Sequence, residues 1–291
     1  MTGRHKRRRP PRYGLALGII FFATVFCFSF YQVIMKAQMA RQEQKSFEEL
    51  AAIKKQTIIS SAAQSTPNPT STPPKIPESS YNSGETDYTD PSISPESKPT
   101  PLSEYEPLYA INDDLFGWLT IEAVGIDYPV VHTPDDPEHY LRRAFDGSYS
   151  GSGVPFVDGK CPAEGCYYLI YGHHMNNGTM FGRLPDYQDE DFCKEHPVIR
   201  FDTLYEHREY VVMAAFFSRI YGKDEQGVFR YYEYFDLSDP AIFEEYVRQV
   251  NTAALYDTGI TAEYGDELLA LSTCNYHTAD GRFVVVAKRI S

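Results

Sequence analysis

Between Tyr13 and Met35 the chain runs for 23 residues without a charged side chain, directly after a basic arm of Arg4, Lys6, Arg7, Arg8, Arg9 and Arg12. As a helix, that stretch would extend about 34 Å, enough to cross the hydrocarbon core of a bilayer. Basic residues favour the cytoplasmic side of such a span. A cleaved signal peptide shares the basic arm and apolar run, but this run is longer than the usual apolar region and no clear small-x-small cleavage site follows it. Residues 1–12 are therefore read as a cytoplasmic arm and 13–35 as a single-pass signal anchor. Everything after residue 36 is placed outside the cell membrane.

Charge separates the two parts of the chain. Residues 1–60 carry 11 Lys and Arg against 3 Asp and Glu, so of the overall −13 the remaining residues hold −21. A surface this acidic would repel a phosphate backbone, which argues against nucleic acid as a partner. Residues 36–59 are rich in Ala, Gln, Glu, Lys and Leu and read as a helix continuing from the anchor. Residues 60–103 turn abruptly to Pro, Ser and Thr, a composition that cannot bury apolar surface and predicts a disordered spacer. A spacer of that kind would let the folded unit reach away from the bilayer.

That unit occupies residues 104–291. After a short helical stretch at Tyr105–Ile111, eight β-rich runs follow: Gly117–Ile121, Tyr128–His132, Gly153–Val157, Tyr167–Tyr171, Val198–Asp202, Glu209–Phe217, Glu267–Ser272 and Phe283–Arg289. Short strands separated by turn signals predict a mostly-β barrel or sandwich. One helix interrupts them. Asp239 offers an N-cap, Pro240 suits the first turn, and Ile242, Phe243, Tyr246, Val247 and Val250 are predicted to share its buried face.

Two segments carry residues suited to chemistry. In Leu269-Ala270-Leu271-Ser272-Thr273-Cys274 an apolar strand ends on a thiol, and Arg282 opens the next strand eight residues later. Adjacent strands would bring the guanidinium back beside the sulfur, where it could lower the thiol pKa or hold an oxyanion. A buried structural cysteine and a surface arginine would fit the same pattern. In Leu169-Ile170-Tyr171-Gly172-His173-His174 a strand runs into two histidines, residues able to give and take protons near neutral pH. A metal site is the weaker reading of that pair, because His132, His139 and His196 lack a recognised ligand spacing. There are five cysteines, and Cys27, Cys161, Cys166, Cys193 and Cys274 include no C-x-x-C pair. An odd number leaves at least one thiol free.

Taken together, Tyr-Gly-His-His-Met-x-x-Gly-Thr-Met-Phe-Gly and Leu-Ser-Thr-Cys-x7-Arg-Phe-Val-Val closely resemble the sortases, and specifically class B. The likeness extends through Gly117-Trp118-Leu119, Gly125 to Val131, and Tyr140-Leu141. It implies an eight-stranded β-barrel with a few helices, one of them before the seventh strand, behind an N-terminal transmembrane helix. It also implies a cysteine transpeptidase that needs no cofactor and no metal. Such an enzyme cleaves a C-terminal sorting motif of secreted proteins after Thr, through a thioacyl intermediate. It then passes the acyl group to an amine of the peptidoglycan precursor or cell wall. In class B the motif tends toward Asn-Pro-x-Thr or Ser/Pro-Pro-x-Thr forms.

Residue by residue, the resemblance makes Cys274 the nucleophile, His173 the proton donor and acceptor, and Arg282 the oxyanion partner. Ser272 would support substrate binding, and Leu141 would form an apolar wall of the signal groove. Cys161-Pro162-Ala163-Glu164-Gly165-Cys166 departs from the family pattern and is read as a short disulfide-closed turn. Two other functions fit part of the sequence: a Cys–His cell-wall hydrolase that uses water as acceptor, and a non-catalytic surface-tethered binding module. Arg282 argues against the first, and the joint spacing of Cys274, His173 and Arg282 against the second.

Overall fold

The computed structural model describes residues 13–64 and 100–291. The basic arm and residues 65–99 of the expected spacer lie outside the described residues.

Helix α1 runs without interruption from Tyr13 to Gln64. Its first part exposes Leu17, Phe21, Phe22, Phe26 and Phe30, and it is long and apolar enough to cross a membrane. The second part behaves differently. Phe47 is buried, with Leu50, Ala51 and Ile53 partly buried beside it against the domain core. The Phe47 ring meets Tyr128 edge-on at 4.9 Å, and the Lys54 ammonium sits 4.3 Å over the Trp118 ring. Apolar positions at i, i+3 and i+4 give this half of the helix one adhesive face. The helix therefore reaches the folded unit before the Pro-rich stretch begins. The expected spacer itself falls largely on residues 65–99, outside those described.

The unit itself is a closed barrel of eight strands: β1 Leu115–Ile121, β2 Ile126–Val131, β3 Phe156–Val157, β4 Tyr167–Tyr171, β5 Val198–Thr203, β6 Glu209–Arg219, β7 Leu268–Cys274 and β8 Gly281–Arg289. Their order around the barrel is β1-β2-β3-β4-β7-β8-β6-β5, and an antiparallel β1–β5 pairing closes it. Closure removes exposed edges, and inward residues such as Leu119, Ile170, Phe201, Ala215, Leu271 and Val285 form the core. Each strand overlaps one of the eight runs expected from the sequence, though Gly153–Val157 shrinks to the two residues of β3.

Short helices fill the connections: α2 Glu106–Ile111, α3 Glu190–Glu195 and α4 Pro240–Ala253. Helix α4 lies between β6 and β7, the position expected for class B. Asp239 caps it, its carboxylate accepting from the backbone N–H groups of Ala241 at 2.8 Å and Ile242 at 3.2 Å. Phe243, Tyr246, Val247 and Val250 are buried, but Ile242 is exposed rather than inward. The inward stripe follows i, i+3, i+4 and i+7 from Phe243, and Ile242 falls just outside it.

Candidate active site

The site is assembled where β4 and β7 run parallel and β8 returns against β7. In the first pairing Tyr171 lies opposite Ser272, and in the second Cys274 lies opposite Arg282. Directly opposed residues of an antiparallel pair project to the same face, so the thiol and guanidinium share one side of the sheet. The turn between them is tight. Gly281 could not carry a side chain, because a Cβ there would lie 2.2 Å from the Asn275 carbonyl oxygen. Asp280 takes a left-handed backbone, φ 53°. Arg282 is steadied by its own turn, its Nη1 donating to the carbonyls of Gly281 at 3.0 Å and Asp280 at 3.3 Å.

Beyond β4, the chain is locked to β7. The Gly172 N–H donates to the Ser272 carbonyl at 3.1 Å, and the Thr273 hydroxyl donates to the Gly172 carbonyl at 2.8 Å. Gly172 has no room for a Cβ, which would sit 2.5 Å from the Phe181 ring. Phe181 in turn donates its N–H to the His173 carbonyl at 3.0 Å. The backbone of His173 is thus held from both sides.

Its imidazole is held as well. Nε2 lies 2.8 Å from the Leu141 carbonyl oxygen. A carbonyl can only accept, so Nε2 carries the hydrogen and Nδ1 is left as the basic atom of the neutral ring. Burial pushes the His173 pKa below the ordinary histidine value; the Leu141 hydrogen bond opposes that shift and nearby Arg142 adds to it. The neighbouring His174 takes another direction. It bridges to Met180, packs edge-on against Tyr276 at 5.5 Å, and does not line the cleft.

Cys274, His173, Arg282, Ser272 and Leu141 all line one cleft of about 580 Å³. Cys274, His173 and Arg282 are each partly exposed in it. Ser272 borders the cleft but is buried, and its hydroxyl is paired with the Tyr231 hydroxyl at 2.8 Å. Burial raises the Tyr231 pKa to about 12, so the phenol stays protonated and available as a donor. The apolar cleft wall includes Val154, Phe156 and Ile220 besides Leu141, and Glu138 and Asp158 add acidic groups. Sequence reasoning missed Tyr231 and the role of the Leu141 carbonyl. Both belong to short 3-10 turns brought to the site from a distance, with no local pattern to mark them.

The expected Cys161–Cys166 bond is not formed: all five cysteines are free thiols. The two sulfurs have separate surroundings. Cys161 is buried beside the Leu169 amide, and its pKa is pushed up to about 12, chiefly by burial. Cys166 is half-buried against the Leu237 backbone, at the end of β4 away from His173.

A model of the sortase domain matches residues 119–290. Sortase B of Listeria monocytogenes is 28% identical over 192 residues, covering 65% of this chain and 74% of that protein. Sortase B of Staphylococcus aureus is 27% identical over 191 residues, covering 64% and 75%. The crystal structure of sortase B from B. anthracis in complex with AAEK1 superposes with a TM-score of 0.58 at 28% identity, over 68% of this chain and 89% of that one. The chain belongs to the sortase family of cysteine transpeptidases, and within that family to class B.

Proposed function

We propose that this class B sortase uses Cys274 as nucleophile, His173 as proton carrier and Arg282 as oxyanion partner. The observation that carries this reading is the direct cross-strand pairing of Cys274 with Arg282 in a cleft that also contains His173. The Cys274 sulfur attacks the carbonyl of the motif threonine, and Arg282 stabilises the negative charge that develops on its oxygen. His173 takes the thiol proton of Cys274 and delivers it to the departing amine, leaving a thioester. The acceptor amine then attacks the thioester and loses a proton to His173, and the amide bond re-forms without an external energy source.

The substrates in this reading are sorting-signal-bearing secreted proteins, and the acceptor is an amine of the peptidoglycan precursor or cell wall. One of the similar solved structures is a Staphylococcus aureus sortase B–substrate complex. A peptide substrate suits the cleft, whose walls offer apolar contacts from Leu141, Val154 and Ile220 beside the thiol.

The first part of α1 is proposed as the membrane anchor, with the basic arm in the cytoplasm and the barrel outside. Glu43, where α1 first bonds to the barrel, lies about 12 Å of helix beyond Met35. The reading therefore keeps the loop at Ser150–Ser152 near the outer membrane surface.

Product analysis tests the function. A peptide carrying Asn-Pro-x-Thr should be cut after Thr, and added amine should divert the acyl group from water into a new amide. Cleavage that ignores added amine, with only the free acid formed, would favour a hydrolase.

A further inference from the structure

On the helix that descends from the apolar segment, Glu43 points its carboxylate at the loop before β3. Oε1 accepts from the Gly151 N–H at 2.6 Å and from the Ser150 hydroxyl at 3.0 Å, and Oε2 accepts from the Ser152 hydroxyl at 2.9 Å. Both serines are buried, and their hydroxyls are also in contact at 3.1 Å. Bonds to a carboxylate are stronger than those between neutral groups, so three of them fix this short segment firmly.

The clamped segment holds the piece of chain that holds His173. The Ser150 N–H donates to the Arg142 carbonyl at 3.1 Å, and the Val154 N–H donates to the Tyr140 carbonyl at 3.2 Å. Arg142 answers with a bond from Nη1 to the Gly151 carbonyl at 2.7 Å. Leu141 lies between these pairings. The two strands of the loop approach so closely at Gly153, φ +62°, that a Cβ there would lie 2.5 Å from the Tyr140 oxygen and 2.7 Å from the Leu141 oxygen. The Leu141 carbonyl therefore has little freedom, and it is the acceptor for His173 Nε2.

We propose that Glu43 is a positioning residue for the transpeptidation: by clamping Ser150, Gly151 and Ser152, it fixes the Leu141 carbonyl and through it the orientation of the His173 imidazole. The helix leading from the membrane is thereby coupled to the catalytic cleft. This rests on the reading of His173 as the proton carrier. A small displacement of a reacting group is costly in rate even when it originates far from the chemistry.

The test uses the full-length chain and an Asn-Pro-x-Thr peptide, with kcat, KM and the pH dependence of kcat measured for each variant. Glu43→Gln removes the charge while keeping the side-chain shape. It should lower kcat by about tenfold or more and displace the pH profile. Glu43→Asp should recover part of the loss. Ser152→Ala should act in the same direction, and the double variant should lose little more than Glu43→Gln alone. Should Glu43→Gln fail to fold, Ser152→Ala carries the test. Ile53→Ala, which loosens the helix packing at a side chain outside the cavity shared by Glu43 and Ser150, should lower the melting temperature and leave the pH profile in place. A folded Glu43→Gln with the parent's kcat and pH profile would overturn the proposal. So would an Ile53→Ala that reproduces the Glu43→Gln profile, since helix loosening alone would then suffice. His173→Ala run beside them separates the layers: if it turns over normally, the assignment of His173 is what has failed.

Discussion

Cys274 and Arg282 face each other as register partners across β7 and β8, with the guanidinium tied to the turn that joins the two strands. Position along the ladder, rather than sequence proximity, brings the thiol and the positive charge together. In the proposed mechanism Arg282 is therefore more than a source of charge.

Arg282→Lys should therefore be far more damaging than conservation of charge suggests. Lysine cannot present a planar fork that bonds the turn and the oxyanion at once. Losing an oxyanion donor typically costs about 3 kcal/mol in the barrier, a hundredfold or more in rate. Steady-state cleavage of a sorting-motif peptide measures it, and retention of most activity would reduce Arg282 to a nearby charge.

The two adjacent histidines should separate cleanly. His173 lines the cleft with its Nε2 on the Leu141 carbonyl, whereas His174 packs on Tyr276 away from it. His173→Ala should lose nearly all turnover, while a folded His174→Ala should keep a substantial fraction. Kinetics on one peptide, with circular dichroism for folding, decide between them. A dead His174→Ala beside a normal His173→Ala would reverse the assignment.

Gly172→Ala should damage both stability and activity. The added Cβ would meet the Phe181 ring at 2.5 Å, and Phe181 bonds the His173 carbonyl. Overpacking of this kind costs about 1–3 kcal/mol. Denaturant titration should show a lower midpoint, and residual folded protein should turn over slowly. An unchanged midpoint would mean that Phe181 moves aside freely.

Acid should weaken the fold through His173. Its folded pKa lies below the ordinary 6.5, chiefly because of burial. As pH falls through 6.5 the unfolded chain takes up a proton first, and stability rises with pH wherever the unfolded state binds more protons. The stabilisation present above 6.5 is therefore lost progressively as pH falls toward the folded pKa, and levels off below it. His132, also depressed by burial, adds to the slope. The difference between parent and His173→Gln in urea denaturation across that window isolates the His173 share. Equal slopes would contradict it.

Much of the barrel was legible because each strand announces itself locally. Tyr167–Tyr171 has the same bounds in sequence and structure, and Leu268, Leu269, Ala270 and Leu271 are all apolar because β7 is buried between β4 and β8. Cys274 and Arg282 could be paired from the sequence, since a single short turn separates their strands. The docking of α1 was not visible. Phe47, Leu50 and Ala51 are spaced as one helical face, but among Glu, Lys and Gln the stripe is too narrow to distinguish from a free helix. Glu43 and Ser150 are separated by 107 positions, and Tyr231 and Ser272 by 41. Such pairings depend on barrel closure, which no local periodicity records. Ser272 illustrates the limit: it lines the cleft, but the pairing of its hydroxyl with Tyr231 had no mark in the sequence.

Intact-mass spectrometry of the full-length protein mixed with an Asn-Pro-x-Thr peptide tests the central claim most directly. The account predicts a covalent adduct equal to the acyl fragment ending in Thr, mapped to Cys274, discharged by added amine and absent from Cys274→Ala. A Cys274→Ala protein that still cleaves at the parent rate, or an acyl adduct mapped to another cysteine, would contradict it.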